Sequence, residues 1–407
     1  MIKTQVRKKD NSIQDWDPSK VLRAINLAAR RTTQPLSSDT AEAIITYVAE
    51  HIEETPVPVT TVHKLVENAL MHFELFDIAR EYISYRNTHR PDIFRKRTQY
   101  KPFEYPELAD FRLAILNNFW LHTHYNYNSD IQDMLVNMPP ADALTAKRTI
   151  LAISQIEVKV KNFWGRIGTY LPKPEIEEVG AVFASNEVVH AMAYSNLLEI
   201  MNLNDEFATL LEVPAIRRRV QYLERAIVTP VDNEEYLLNI LLFSMFIENV
   251  SLFSQFYLLL RYYKNHKWLK GTSNTIRATS TEETIHGKYG FALVNTIKSE
   301  HPEWWTPELT ARIYSAADDA LQAESEVLSW ITEQTPELYD EAYNFILSRM
   351  NQSLTEIGLA PTYKVDPAYD FTWFNLMVAA NNAVDFFDTK STAYSKGLQS
   401  FSADDLF

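Results

Sequence analysis

The sequence predicts a mainly all-α protein, and three observations carry that expectation. Only 8 glycines occur in 407 residues, and runs of alternating polar and apolar residues are few, so neither sheets nor glycine-rich phosphate loops are in view. Long stretches carry apolar residues at helical period. The pattern Glu-x-x-His occurs twice, in FASNEVVHAMAY (183–194) and in STEETIHG (280–287).

Taken in order, residues 1–90 read as a small separate domain, mostly helical with a short β-hairpin. Val6–Asp10 and Ile13–Trp16 form the two arms of the hairpin. Asp17 as N-cap and Pro18 at the first helical position then open a helix with Val21, Ile25 and Ala28 on one face. Three further helices are expected at Asp39–Glu53, Thr61–His72 and Leu75–Asn87. Residues 91–106 close a stretch that holds three prolines and several Lys and Arg without an apolar period, which reads as a linker. From 107 to 387 long helical segments dominate. Four of them, Ala143–Trp164, Ile176–Met201, Asn233–Tyr263 and Thr281–Glu300, carry the residues of chemical interest. The last stretch, 388–407, has no helical period and reads as a flexible tail.

Glu187 and His190 stand three residues apart and Tyr194 one helical turn further on, so carboxylate, imidazole and phenol share one helix face. Glu283 and His286 repeat the pair. Each pair follows a segment in which one carboxylate, Glu157 or Glu248, interrupts an apolar face, where an unpaired charge is costly. Roughly one Glu-x-x-His is expected by chance in a chain with ten histidines, so the argument rests on placement. Two pairs and two single glutamates predict two metal ions, whose charge balances four carboxylates. Oxygen and imidazole donors suit iron or manganese. This ligand pattern is known from ferritin-like helical bundles, and the match is one of pattern.

Composition removes other classes. A net charge of −14 argues against nucleic-acid binding, which needs basic surface. With no cysteine the chain holds no disulfide, iron–sulfur cluster or thiol nucleophile, so any thiol chemistry belongs to a partner. The N-terminus has no apolar signal core, and Glu248, Asn249, Ser251 and Gln255 break the longest apolar run. A cytoplasmic protein without a membrane span is expected.

Two resemblances sharpen this. VRKKDNSIQDWDPSKVLRAI, VPVTTVHKLVENAL and AREYISYR, in that order, resemble the ATP-cone, a regulatory nucleotide-binding domain of ribonucleotide reductases. The resemblance implies that Lys8, Lys9, Lys20 and Arg23 supply cations for a triphosphate and that His63 contacts the nucleotide. Asn11 stands where the family usually has Gly. The remaining chain is similar to the radical-generating small subunit of class I ribonucleotide reductase. That similarity implies Glu157, Glu187, His190, Glu248, Glu283 and His286 as metal ligands, Tyr194 as the radical tyrosine and Trp120 as the start of the radical-transfer route. Glu282 stands where the family commonly has an Asp linking that tryptophan to a ligand histidine. Leu252 and Phe256 would form an apolar wall near the metals.

The same similarity implies a tail that docks on the large catalytic subunit, with Phe401, Asp404, Asp405, Leu406 and Phe407 as hooks and Tyr394 as relay. The expected activity is that of a ribonucleoside-diphosphate reductase small subunit, which supplies an oxidising hole to a cysteine of that partner. A dinuclear manganese centre is favoured by the cone's place on this chain, while Fe/Fe and Mn/Fe fit the same ligands. ATP and dATP are the expected effectors, acting on a homodimer and through a dATP-induced tetramer joined at the cones. A ferritin-like oxidase acting alone, and a non-enzymatic metal store or nucleotide sensor, are the rival expectations.

Overall fold

The computed structural model describes residues 4–7, 13–88, 91–158, 160–226 and 229–379, which fall into two units, Met1–Asp92 and Ile93–Phe407. In the first, β1 (Gln5–Arg7) pairs antiparallel with β2 (Ile13–Asp15), placing Gln5 opposite Asp15, and parallel with β3 (Val57–Pro58). The third strand is an addition to the expected hairpin. It is two residues long and ends in proline, so it carries no alternation that sequence could register. α1 (Pro18–Ala29) begins as predicted: Asp17 accepts from Ser19 N at 3.0 Å and Val21, Ile25 and Ala28 face the core. α2 (Ser38–Glu50), capped by Ser37, stops three residues before the expected Glu53. α3 (Val59–His72) and α4 (Phe76–Thr88) complete this unit around Ile25, Ile44, Val48, Val66 and Ile78. Lys8, Lys9 and Asn11 lie outside the described residues.

The expected linker 91–106 is corrected by the second unit. From Ile93 onward this segment is part of that unit: Ile93 and Tyr105 are buried in its core. Its charges find partners within that unit. Arg97 pairs with Glu175, whose other oxygen accepts from Glu104 N at 2.8 Å, and Lys173 Nζ reaches Glu104 at 2.5 Å. Glu300 holds both ends of the strap, accepting from Ile93 N and from the Tyr105 hydroxyl at 2.8 Å each. Removing one member of a buried pair such as Arg97 and Glu175 costs about 3–5 kcal/mol.

The strap leads into α5 (Pro106–Ala109), α6 (Phe111–Leu116) and α7 (Asn128–Gln132), and a π-helical turn at Asp133–Asn137 precedes α8 (Pro140–Ile156). The helix expected to run from Ala143 to Trp164 breaks here. Glu157 caps α8, and the chain restarts as α9 (Lys161–Gly165) and α10 (Ile167–Tyr170) before α11 (Pro174–Ile200). No proline or glycine marks the break at 157–160; Val158 and Val160, both β-branched, are its only signal. α12 (Asn204–Ala208) and α13 (Pro214–Ala226) connect to α14 (Asn233–Leu242), a π-helical stretch Phe243–Ser251, and α15 (Leu252–His266). These last three form one continuous helix, Asn233–His266, apolar and long enough to cross a membrane but mostly buried within the fold.

α16 (Lys270–Glu300) starts eleven residues before the predicted Thr281. Serines, threonines and Gly271 weaken the local helix signal, and the helix is started from afar. Asp130 accepts from Gly271 N at 2.9 Å and Thr272 N at 2.6 Å, and Asp133 from Leu269 N at 2.8 Å. These carboxylates meet the free amides and the positive end of the helix. α17 (Pro307–Ile331) and α18 (Tyr339–Glu356) finish the bundle. Leu252 and Phe256, the expected apolar wall, are fully buried in its core.

Candidate metal centre

Four helical segments bring the six predicted side chains to one buried place. Glu157 comes from the end of α8, Glu187 and His190 from α11, Glu248 from the π-helical stretch, and Glu283 and His286 from α16. Helical spacing puts each Glu-x-x-His pair on one face. The π-helical stretch does more for Glu248: the Leu252 amide bonds to Ile247 O, a five-residue step that inserts one residue into the turn. Such a bulge is seldom kept without a local use. Gly290 lets α16 pass close to this stretch, since a Cβ there would meet Ser244 Oγ at 1.7 Å.

Ligand-type atoms of Glu187, Glu248, Glu283 and His286 lie within 4.8 Å of one another, as do those of Glu157, Glu187 and His190. Glu187 belongs to both groups and so sits between two centres. His190 Nδ1 is 2.9 Å from Glu283 Oε1, and His286 Nδ1 is 2.9 Å from Glu187 Oε1. Both oxygens of Glu157 and of Glu187, Glu248 Oε2, Glu283 Oε1 and His190 Nδ1 are nevertheless buried without a hydrogen-bond partner among the described residues. Atoms that approach so closely without bonding to each other are aimed at a shared point. Buried polar atoms are ordinarily paired, so these donors fit metal ions, and their hard oxygen and imidazole character fits iron or manganese.

Without metal, protons would have to offset the charge. Burial pushes the carboxyls of Glu157 and Glu248 well above the usual range, and the neighbouring charges of Glu187 and Glu283 add to it. Burial works against a charged imidazole, yet the surrounding carboxylates hold His190 and His286 well above the ordinary value. Glu283 goes the other way: against the effect of burial, Glu248 and the two neighbouring imidazoles hold it well below.

Glu282 joins the centre to Trp120. Its Oε2 accepts from Trp120 Nε1 at 2.7 Å and lies 2.7 Å from His190 Nε2, and the indole stacks on the His190 ring at 6.0 Å. Glu282 therefore links indole and imidazole through a single oxygen. Tyr194 is buried, its hydroxyl has no hydrogen-bond partner among the described residues, and burial holds its phenol well above the ordinary value. Sequence reasoning missed Trp164 and Phe183, which wall the centre. Phe183 lies 4.2 Å from the His286 ring and was legible, one turn before Glu187 on the same face. Trp164 had no local signal, because only the break after Glu157 turns it back onto the site.

In the first unit, Lys20, Arg23 and Arg31 line a cavity of about 170 Å³ together with Leu27 and Tyr82. His63 is not on its wall but touches it, with Nδ1 3.0 Å from the Tyr82 hydroxyl. Arg31 was missed by the sequence reading. Tyr394 and the hooks Phe401, Asp404, Asp405, Leu406 and Phe407 lie outside the described residues. On the solvent side of α11, opposite the ligand face, Val188, Met192, Ser195 and Asn196 line a groove of about 400 Å³, with Lys161 and Glu199 on its rim.

Comparison with known proteins agrees with this geometry. A probable ribonucleoside-diphosphate reductase small subunit of Invertebrate iridescent virus 3 is 25% identical over 320 residues, covering 74% of this chain and 85% of its own length. Ribonucleoside-diphosphate reductase subunit beta of Treponema pallidum is 24% identical, over 74% of this chain and 88% of its own. The ribonucleotide reductase R2 subunit from Clostridium botulinum superposes with a TM-score of 0.63 at 17% identity, over 69% of this chain and 91% of its own. The dimanganese(II)-NrdF of Streptococcus sanguinis does so with 0.60 at 17% identity, over 71% and 99%. Likeness at that identity bears on the fold, and it is the ferritin-like fold that the ligand pattern predicts. Residues 4–91 match the ATP cone domain. Residues 97–370 match the ribonucleotide reductase, small chain, family, to which this chain belongs.

Proposed function

We propose that this chain is the radical-generating subunit of a ribonucleoside-diphosphate reductase, and that Glu157, Glu187, His190, Glu248, Glu283 and His286 hold its dinuclear metal site. The observation that carries the reading is the convergence of unpartnered buried donors on one side of Glu282 with Trp120 on the other. A bound metal pair, once oxidised, supplies a one-electron oxidant. The residues determine where the hole goes. His190 donates Nε2–H to Glu282, which leaves the Nδ1 lone pair for a metal and fixes the ring. Trp120 gives up an electron while its Nε1 proton is held at Glu282 Oε2, so charge does not accumulate in the dry interior. The aromatic and apolar shell, with Phe183 and Trp164 against the site, keeps water from quenching the oxidant.

Tyr194 supports placing the oxidising equivalent on the metals. A phenol releases its proton when oxidised, and the Tyr194 hydroxyl makes no hydrogen bond to a carboxylate or imidazole among the described residues. We favour manganese, with Fe/Fe and Mn/Fe served by the same donors. Tyr394 relays the hole to the large catalytic subunit, on which the C-terminal hooks dock. The cone takes ATP or dATP in the cavity lined by Lys20 and Arg23, with Lys8, Lys9 and His63 contributing, and sets activity through a dATP-induced tetramer. The groove on α11 takes a second copy of the chain, since its small and apolar stripe suits a facing helix and Lys161 and Glu199 offer opposite charges to each other's copies. A cytoplasmic location accords with this work.

An electron paramagnetic resonance spectrum of the oxidised protein, with metal counted on the same sample, tests the proposal. A coupled two-metal signal that persists in Tyr194→Phe is expected. A narrow radical signal lost in that variant would place the hole on the phenol, and fewer than two metals per chain would overturn the centre itself.

A further inference from the structure

Among the four glutamates of the centre, Glu248 is held differently. Its Oε1 accepts from Trp164 Nε1 at 2.8 Å, while its Oε2 is unpartnered and faces the atoms of Glu187, Glu283 and His286. Both oxygens of Glu157 and of Glu187, by contrast, are unpartnered among the described residues.

The indole that makes this bond has no room to move. Trp164 is fully buried, with Phe163, Phe183 and Phe243 edge-on to it at 5.2, 5.2 and 5.6 Å and Tyr289 at 5.7 Å. Its backbone is seated on α11 by Gly180, where a Cβ would meet Trp164 O at 2.7 Å. The bond therefore joins two constrained partners: an indole locked between rings and a glutamate carried on a π-helical stretch.

A carboxylate with two free oxygens can chelate one metal or bridge two with equal ease, whereas one held by an N–H at one oxygen offers its free oxygen first and its held oxygen only with one lone pair already used. We infer that Trp164 is a positioning residue for the metal pair: its N–H holds Glu248 Oε1, so that Glu248 would present Oε2 to the metals and would be biased against chelating or bridging through both oxygens. The pair is then asymmetric by construction, with Glu248 restrained on one side and Glu157 unrestrained on the other. Outer-sphere partners of this kind alter metal affinity by roughly 10- to 100-fold.

The inference rests on the metal reading, and the test separates the two. Trp164→Phe keeps a ring in the aromatic box and deletes the donor, and Trp164→His restores a ring N–H. Full-length wild type and both variants are loaded with Mn(II), and metal content, the resonance spectrum of the coupled pair and the rate of release to a chelator are measured. We expect two metals per chain in wild type, an altered coupling pattern and roughly 10- to 100-fold faster release in Trp164→Phe, and partial return in Trp164→His. Spectrum and release unchanged in Trp164→Phe would overturn the inference alone. Failure of wild type to bind two metals would sink the metal reading and this inference with it. If Trp164→Phe does not fold, the indole N–H of ¹⁵N-tryptophan-labelled wild type decides. Slow exchange with solvent in the Zn(II)-loaded, diamagnetic protein supports the bond, and a released N–H on loading overturns it.

Discussion

Shortening Glu282 by one methylene, as Glu282→Asp, tests the geometry that links the metal centre to Trp120. One oxygen of Glu282 lies 2.7 Å from both Trp120 Nε1 and His190 Nε2. Withdrawing the carboxylate by about 1.5 Å, one carbon–carbon bond, opens both gaps to about 4 Å, beyond hydrogen-bonding distance. α16 cannot advance to close them, because it is capped by Asp130 and packed at Gly290. A hydrogen bond to a charged group contributes about 1.5–3 kcal/mol. Lost from a ligand imidazole, that corresponds to metal affinity weaker by roughly 10- to 150-fold. Glu282→Gln keeps the reach, and its amide oxygen can accept both N–H groups in place of Oε2, so it should lose only the charge and weaken binding less. Calorimetric titration of the metal-free chain with Mn(II) in a competing chelator measures both variants without the large subunit. An Asp variant that binds metal within about twofold of wild type and still passes the hole to Trp120 would refute the reasoning.

Three further outcomes are expected. Glu157, Glu248, His190 and His286 all hold protons more tightly in the folded metal-free chain than their ordinary values allow, with Glu283 alone opposed. The stability these four confer is complete at low pH. It is lost as pH rises, past the ordinary carboxylate range for the glutamates and past about 6.5 for the histidines. Metal binding expels the same protons, so affinity should climb with pH, and titrations in buffers of different ionisation enthalpy should show proton release; none would count against the assignment. Arg31→Ala should weaken ATP and dATP binding by roughly tenfold, as expected for one charge-assisted contact to phosphate, measured by calorimetry on the full chain. Unchanged affinity would place the nucleotide elsewhere. Met192→Glu, at a half-exposed position on the α11 groove, should shift the chain toward monomer in sedimentation while metal content stays at two. A dimer as stable as wild type would rule out that face.

The centre was legible because its information is local. Glu-x-x-His needs only the helical period, and Glu157 and Glu248 stood out as charges on apolar faces. What stayed hidden depends on partners distant in sequence. The start of α16 is set by Asp130 and Asp133, more than 130 residues earlier, and serines and threonines at that start read as non-helical. The strap 93–106 reads as a linker because Arg97 and Glu104 find their partners, Glu175 and Lys173, only in the folded unit. The break at Glu157 and the π-helical stretch around Glu248 leave the apolar period almost intact, so no pattern reveals them. Trp164 is the cost of that blindness: read as a continuation of the first ligand helix, it was given no part in the site.

The strap also determines how the two units can be exchanged. A deletion meant to remove the nucleotide-binding unit, if cut at Pro106, would take away Ile93, Arg97, Glu104 and Tyr105, leave Glu175 and Lys173 as buried charges without the partners the strap gives them, and strip Glu300 of its two bonds to the strap. A cut between Asp92 and Ile93 leaves that lock whole. The seam at which such a regulatory module can be grafted onto a metal-binding body, or lost from it, therefore lies at the front of the strap, and a recombination joint placed a dozen residues later would yield a damaged protein.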